Sequence, residues 1–396
     1  MKNESVAILD IRSKEVTFLL GSKGVNSTFA FRGNQSERYE GYLVEGFIDE
    51  DSFRRAVSCA ITSVRQNYNG VIDEVYVGVP SPFVSVATSG HTLSFPSKRK
   101  ISEADVEALY ESGLNDLLPQ GHCIRRSHMY FSLGDNRKYF SENDLYGMPT
   151  TMLKGGLCYY FISDYFHDMV TKLLRDLGIP SVKFIPSTLA QSIYLLPAGK
   201  REGYAFLLDI GFLTSSVSVV YGSGIVHEAS FDCGVGQILV ALMNELEVDF
   251  FEAEEILAAA NISGGILPKD MAWSLDSCDR RFSVQKINDV IKYTLDILCE
   301  NIEQFFGKYY RTKTTTSLMV NPIAITGEGI GEIKGAAEHI SRRLNRLTKI
   351  AAPDLPYYDK PAASSRIALL NMAVEDSSVK PGWFKGLFKK FGGKKK

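Results

Sequence analysis

The sequence predicts an α/β fold built from two related halves that face each other across a cleft, and three stretches carry that prediction. Tyr204–Val219, YAFLLDIGFLTSSVSV, is an apolar strand ending in Asp209, a turn at Gly211, and a second strand of small residues alternating with valines. Val6–Gly21, VAILDIRSKEVTFLLG, has the same layout roughly 200 residues earlier, with Asp10 in the place of Asp209. Asn321–Gly335, NPIAITGEGIGEIKG, runs from an apolar strand through a glycine-spaced turn into an expected helix. A tight turn after a strand offers its backbone N–H groups as an anion-binding nest, and an adjacent aspartate can hold magnesium through water. The third loop suits a backbone that passes close to a base or sugar.

The remaining elements follow in order. After the first hairpin, Arg54–Tyr68 reads as a helix, with Phe53, Val57, Ala60, Ile61 and Val64 on one face, and Val71–Pro80 as a strand stopped by proline. Val84–Phe95 is a strand pattern broken at Gly90–His91. Ser102 with Asp105 forms a capping box that opens a helix, which Gly113 would end. Further extended stretches cover Ser127–Leu133 and Leu145–Ser163. Asp164–Gly178 is an amphipathic helix closed by its glycine. A strand at Val182–Pro186 and a helix at Thr188–Leu196 lead to the second hairpin. Beyond it, helices are expected from Gln237, from Glu252, and over Val284–Tyr310, whose apolar stripe faces a core. Ala351–Val379, rich in Ala, Ser, Pro and Asp without periodicity, reads as a flexible linker.

At 396 residues, 45% hydrophobic and 23% charged, the chain has the composition of an ordinary globular protein with several cores. It has no apolar run long enough for a membrane-spanning helix, and Asp10 interrupts the first apolar stretch, so no secretion signal is expected. Six scattered cysteines without a C-x-x-C pair point to free thiols in a reducing cytoplasm, and no zinc site is predicted from them. The net charge of −2 is uneven: Lys380–Lys396 holds seven lysines and no acid, leaving 37 basic against 46 acidic residues elsewhere. An acidic body with a basic tail does not suit nucleic acid. It suits an anionic surface.

That tail, KPGWFKGLFKKFGGKKK, places Trp383, Phe384, Leu387, Phe388 and Phe391 on one helical face, flanked by Lys385, Lys389 and Lys390. Aromatics opposed by lysines describe a helix lying in a membrane interface, each lysine adding about 1 kcal/mol near an anionic leaflet. Its glycines weaken an isolated helix in water, so folding on lipid is expected. A helix for a partner's groove, a calmodulin-target-like peptide and a tail folded onto the body are the alternatives. Several copies held in one filament would bind far more tightly than one.

In the order and spacing of the three turns, the chain resembles the actin-like ATPase superfamily and, within it, FtsA-like bacterial cell-division proteins. The resemblance covers nearly the whole length, including SGHTLSFPSKRKISEADVEALYESG and YGMPTTMLKGGLCYYFIS, which match an FtsA-type inserted subdomain in layout. It implies a first lobe core at 1–80 and 161–200, an insert of two helices and a short sheet at 81–160, and a second lobe core at 201–228 and 300–350. It also implies an upper subdomain at 229–299, the flexible linker at 351–379 and a membrane-binding amphipathic helix at 380–396. ATP with Mg2+ is implied at Asp10, Arg12, Ser13, Lys14, Asp209, Gly211, Thr214, Gly327, Glu328 and Gly329, with Asp10 and Asp209 on the metal side. Gln191 falls where the superfamily often places a residue that orients an attacking water; the other reading is a solvated helix residue. The implied partners are the FtsZ C-terminal peptide, other division proteins through 81–160, an anionic membrane and further copies of the chain in a filament. The implied location is the cytoplasmic face of the membrane at the division site.

The sequence departs from the family pattern on the phosphate side. Asp-Ile-Gly becomes Asp10-Ile11-Arg12, and D-I-G-G-G-T-T-D becomes Asp209-Ile210-Gly211-Phe212-Leu213-Thr214-Ser215-Ser216. T-G-G-G becomes Thr326-Gly327-Glu328-Gly329, and Leu257 stands where the family's acid-x-x-Lys pair has its lysine. Phe212 and Leu213 obstruct the backbone approach that glycine permits, while Arg12 is expected to pair with a phosphate. Hydrolysis needs phosphate, metal and water in register, so weak or absent turnover is expected and no catalytic residue is assigned. The competing readings are an actin-fold pilus-assembly protein and an ATP-dependent small-molecule kinase. A kinase has no use for a basic aromatic tail.

Overall fold

A computed structural model describes residues 5–24, 28–118, 121–263, 271–274, 280–309 and 321–378. Two five-stranded sheets share one topology. In the first, Ser181–Pro186, Glu74–Val79 and Val6–Ile11 run parallel, and Glu15–Lys23 and Phe29–Arg38 continue antiparallel. In the second, Thr348–Ile350, Ile323–Gly327 and Tyr204–Ile210 run parallel, followed by antiparallel Ser215–Tyr221 and Gly224–Phe231. The central strand of each sheet is the one that ends in the aspartate turn. Its residues are buried throughout Val6–Ile11 and nearly so in Tyr204–Ile210, so each is a continuous apolar run covered on both faces. The two D-I turns therefore sit at equivalent positions.

Each sheet has its own outer layer. Glu50–Asn67, capped by Asp49, and Asp164–Asp176, capped by Ser163, cover the first. Val235–Leu246, Phe250–Ala259 and Val284–Tyr309 bury an apolar face against the second.

Between the sheets lies a layer of two helices, of which the sequence revealed one. Ser364–Ser378 is an α-helix, with Ile367, Ala368, Leu369, Leu370, Met372 and Ala373 buried. It packs with Ser187–Leu195 in a cluster that draws Val6, Ile8 and Leu19 from one sheet and Ala205, Leu207 and Val220 from the other. The flexible linker expected at 351–379 is thus corrected over this span. Its polar residues gather at the two ends around a middle, 367–374, that is apolar but for Asn371, so no amphipathic stripe shows and the periodic signal is lost. The strands make room for it. A Cβ on Gly78 would lie 2.3 Å from Leu369 Cδ1, and one on Gly21 2.6 Å from Leu370 Cδ2.

The stretch expected as an insert forms a three-stranded sheet, Val84–Lys100 beside Pro149–Ile162 beside His122–Ser132, carrying the helix Glu103–Asn115. The capping box at Ser102 and Asp105 is present. Two expectations are corrected. Among the described residues the stretch has one α-helix, not two. Val84–Lys100 also runs unbroken through Gly90–His91, because Gly90 pairs with Gly156, and His91 with Gly155, in register. The tail residues Trp383, Phe384, Lys385, Leu387, Phe388, Lys389, Lys390 and Phe391 lie outside the described residues, as does Cys278. Among the described residues no helix is long and apolar enough to cross a membrane.

Candidate functional site

All ten residues singled out for the cleft come together at one end of the two central strands. Asp10 and Asp209 close those strands, and Gly327 follows in register beside Ile210. Gly327 has φ +114°, and a Cβ there would sit 2.2 Å from Ile210 O and 2.6 Å from Asp209 Oδ1. Only glycine fits that approach. Gly329 is also left-handed, at φ +76°, and between them Glu328 turns its carboxylate into the cleft.

What meets it there is Arg12. Arg12 Nη1 and Nη2 donate to Asp209 Oδ2 and Oδ1 at 2.6 and 2.9 Å, a bidentate pair, and Nε donates to Glu328 Oε1 at 3.0 Å. The side chains are 13%, 5% and 17% exposed. Where a phosphate partner was expected, three of the five N–H donors of Arg12 go to two carboxylates of the opposite lobe. Burial alone would press the guanidinium toward neutrality, but Asp209 and Glu328 outweigh it and hold the proton well above the ordinary arginine range. Glu328 is itself pushed up by burial, which Arg12 offsets only in part. Tyr39 Oη donates to the Arg12 carbonyl at 2.7 Å and fixes the turn.

The metal-side aspartates are likewise engaged. Both Asp209 oxygens accept from Arg12, and Asp10 Oδ1 accepts from Ser365 Oγ at 2.6 Å. Burial raises the Asp10 carboxyl, with Arg12 and Ser365 opposing. Ser364 and Ser365 open the helix between the sheets, and Ser364 accepts from Thr326 at 2.8 Å and from Gln191 Nε2 at 3.1 Å. Gln191 is fully buried, so the reading of it as a solvated residue is corrected as well. Ser364 and Ser365 were missed because the surrounding stretch carried no helical period. A pair of serines just after Pro361, before a run free of Gly and Pro, was the available signal.

The second turn is satisfied by protein. Gly211 N–H donates to Thr214 O at 3.0 Å, and Leu213 N–H to Ser13 Oγ at 3.0 Å. The helix Val235–Leu246 points its first N–H groups at this turn, where anions commonly bind. Here Val235 and Gly236 donate instead to Gly211 O and Phe212 O, at 3.0 and 2.7 Å. Lys14 reaches across to Glu254 at 3.4 Å and lies 4.7 Å from the centre of the Phe212 ring. Leu257 is buried in the apolar core of its lobe. The cavity remaining beside Arg12 and Asp209 is lined mainly by hydroxyls, among them Tyr42, Ser81, Thr188 and Ser216, and measures about 20 Å³. That is room for about one water. The residues in this arrangement do not fit a magnesium triphosphate: both Asp209 oxygens, Asp10 Oδ1, the N–H groups of Gly211 and Leu213 and the first N–H groups of the helix have protein partners. What they can do chemically is hold two lobes together by buried, charge-assisted hydrogen bonds.

No family model and no curated protein sequence matches this chain. Solved structures do match across nearly its whole length. A PilM–PilN type IV pilus biogenesis complex aligns over 94% of this chain and 99% of that one, with a TM-score of 0.60 and 14% identity. MreB5 of Spiroplasma citri bound to ADP aligns over 95% and 98%, with a TM-score of 0.54 and 10% identity. The ethanolamine utilization protein EutJ of Carboxydothermus hydrogenoformans aligns over 93% and 91%, at 0.52 and 11%. MreB5 has also been solved bound to AMPPNP. At these identities the likeness is one of architecture: the chain has the two-lobed actin-like α/β fold.

Proposed function

We propose that this protein is an actin-fold adaptor whose cleft is held by its own Arg12 rather than by nucleotide. The observation that carries the reading is the Asp209–Arg12–Glu328 triad, which puts protein charge where a member of this fold would place phosphate and metal. An enzyme of the kinase type needs that space for a triphosphate and an acceptor, and the cavity there has room for about one water. The basic aromatic segment 380–396 supplies attachment to the cytoplasmic face of the membrane. Self-association multiplies that attachment, and FtsZ, engaged through its C-terminal peptide, is the filament so tethered at the division site. The segment 81–160 offers a surface for other division proteins. ATP hydrolysis has no part in this cycle.

A second reading is favoured by the fold shared with the PilM–PilN complex: an actin-fold platform for pilus assembly. One co-sedimentation experiment separates them. Vesicles containing anionic lipid, the full chain and FtsZ are spun together, and FtsZ should pellet only when the chain retains residues 380–396. If the chain pellets but FtsZ stays in solution, the tethering reading fails. Co-purification with a PilN-like membrane protein would then support the second.

A further inference from the structure

We propose that His122, His167 and Asp168 form a metal site of the zinc class, at the joint between the three-stranded sheet and the first lobe. Their ligand atoms all lie within 4.8 Å of one another. Two of the chain's six histidines meet here, from elements far apart in sequence, with rings 3.9 Å apart and 17° from parallel. His167 Nδ1 lies 2.9 Å from Asp168 Oδ1, and His122 Nε2 lies 3.3 Å from Asp164 Oδ1.

The placement is built by the fold rather than by a loose loop. His122 opens the strand His122–Ser132 and pairs in register with Ile162, one residue before Ser163 caps the helix that carries His167 and Asp168. Gly121, at φ +102°, holds the chain against Ile162; a Cβ there would lie 2.3 Å from the Ile162 carbonyl oxygen. The ring of His167 backs onto Phe184 at 5.3 Å, an apolar wall on one side.

The donor set selects the cation. Two imidazoles and one carboxylate suit Zn2+, Co2+ or Ni2+ and suit Mg2+ or Ca2+ poorly. With metal–ligand bonds of about 2.0–2.2 Å, tetrahedral ligand atoms sit roughly 3.3–3.6 Å apart. The widest of these separations, up to 4.8 Å, closes by about 1.2–1.5 Å to reach that spacing, and the stacked rings turn so that an in-plane nitrogen of each faces the ion. With side chains 45% (His122) and 28% (His167) exposed, χ rotation supplies the movement. Asp164 then serves as the carboxylate that orients His122, the usual outer partner of a ligating imidazole. Three protein ligands leave the fourth position to water or to an outside group. A bound ion would pin the start of one insert strand to the helix that leaves another.

The test is calorimetric titration of the full chain, freed of metal with a chelator, using zinc chloride alone. Cobalt chloride follows, read by visible absorption. The expected result is one Zn2+ per chain, with affinity falling at least tenfold in His122→Ala or His167→Ala and saturable binding lost in the double variant. His339→Ala is the control, since His339 pairs with Asp296 at 2.8 Å but belongs to no such group among the described residues. No saturable uptake, uptake unchanged in the double variant, or an equal loss in the control would overturn the proposal.

Discussion

Replacing Arg12 with alanine should unlock the cleft, and the cost can be reasoned from its three hydrogen bonds. The guanidinium neutralises two carboxylates, Asp209 at 5% exposure and Glu328 at 17%, and one Glu328 oxygen already lacks a partner. Removing one member of a buried ion pair leaves uncompensated charge and costs about 3–5 kcal/mol. Arg12→Ala is therefore expected to lose about that much at pH 7, read from the urea midpoint of the first unfolding transition. The loss should shrink in acid. Burial already raises the Glu328 carboxyl above its ordinary 4.5, and without Arg12 nothing nearby opposes that rise. Below about pH 4 the Glu328 carboxyl is mostly protonated in both folded and unfolded chains, so its share of the loss fades and the share Arg12 held through Asp209 is left. The triple variant Arg12→Ala, Asp209→Asn, Glu328→Gln, which removes both orphaned charges, should recover most of the stability. A single variant within about 0.5 kcal/mol of the parent, or a loss that does not change with pH, would refute the reasoning.

Three other outcomes follow from the same structure. Leu369→Ala should destabilise by about 2–5 kcal/mol in chemical denaturation, since Leu369 is fully buried between the sheets; a flexible linker at that position would give close to zero. Glu228→Gln should stabilise the protein at neutral pH and do little in acid. Glu228 is half-buried, its Oε1 accepts from Ser218 Oγ at 3.0 Å, and burial raises its pKa more than the hydroxyls of Thr188, Ser218 and Ser81 lower it. A raised carboxyl keeps its full stability contribution below the unfolded value of 4.5 and loses it as pH climbs through the folded one, so the advantage of Gln should appear only above that window. Deleting residues 380–396 should abolish vesicle binding while leaving the thermal transition of the body unchanged.

The sheets were legible in the sequence because each central strand, buried on both faces, reads as an apolar run that stops at an aspartate. The duplicated turn then gave the symmetry of the two halves. Helices with one exposed face, such as Asp164–Asp176, announced themselves by period. Ser364–Ser378 did not, since its polar residues gather at the two ends and leave no contrast between faces. The gathering of Asp10, Arg12, Asp209 and Glu328 was foreseeable from the turns, but the partner of Arg12 was not. A guanidinium at a phosphate turn serves an anion from outside or one from the chain itself, and the choice depends on Glu328 standing 316 residues away. Only the closed geometry decides between the two. The second turn shows the same limit: Phe212 and Leu213 signalled obstruction, whereas the capture of the helix N-terminus by Gly211 O and Phe212 O is a tertiary event.

The central claim is that protein charge has taken the place of nucleotide, and isothermal titration of the full chain with ATP and magnesium tests it most directly. The account predicts no saturable heat for the parent protein. Micromolar one-site binding would contradict it, because ATP could enter only by displacing Arg12 from Asp209 and Glu328.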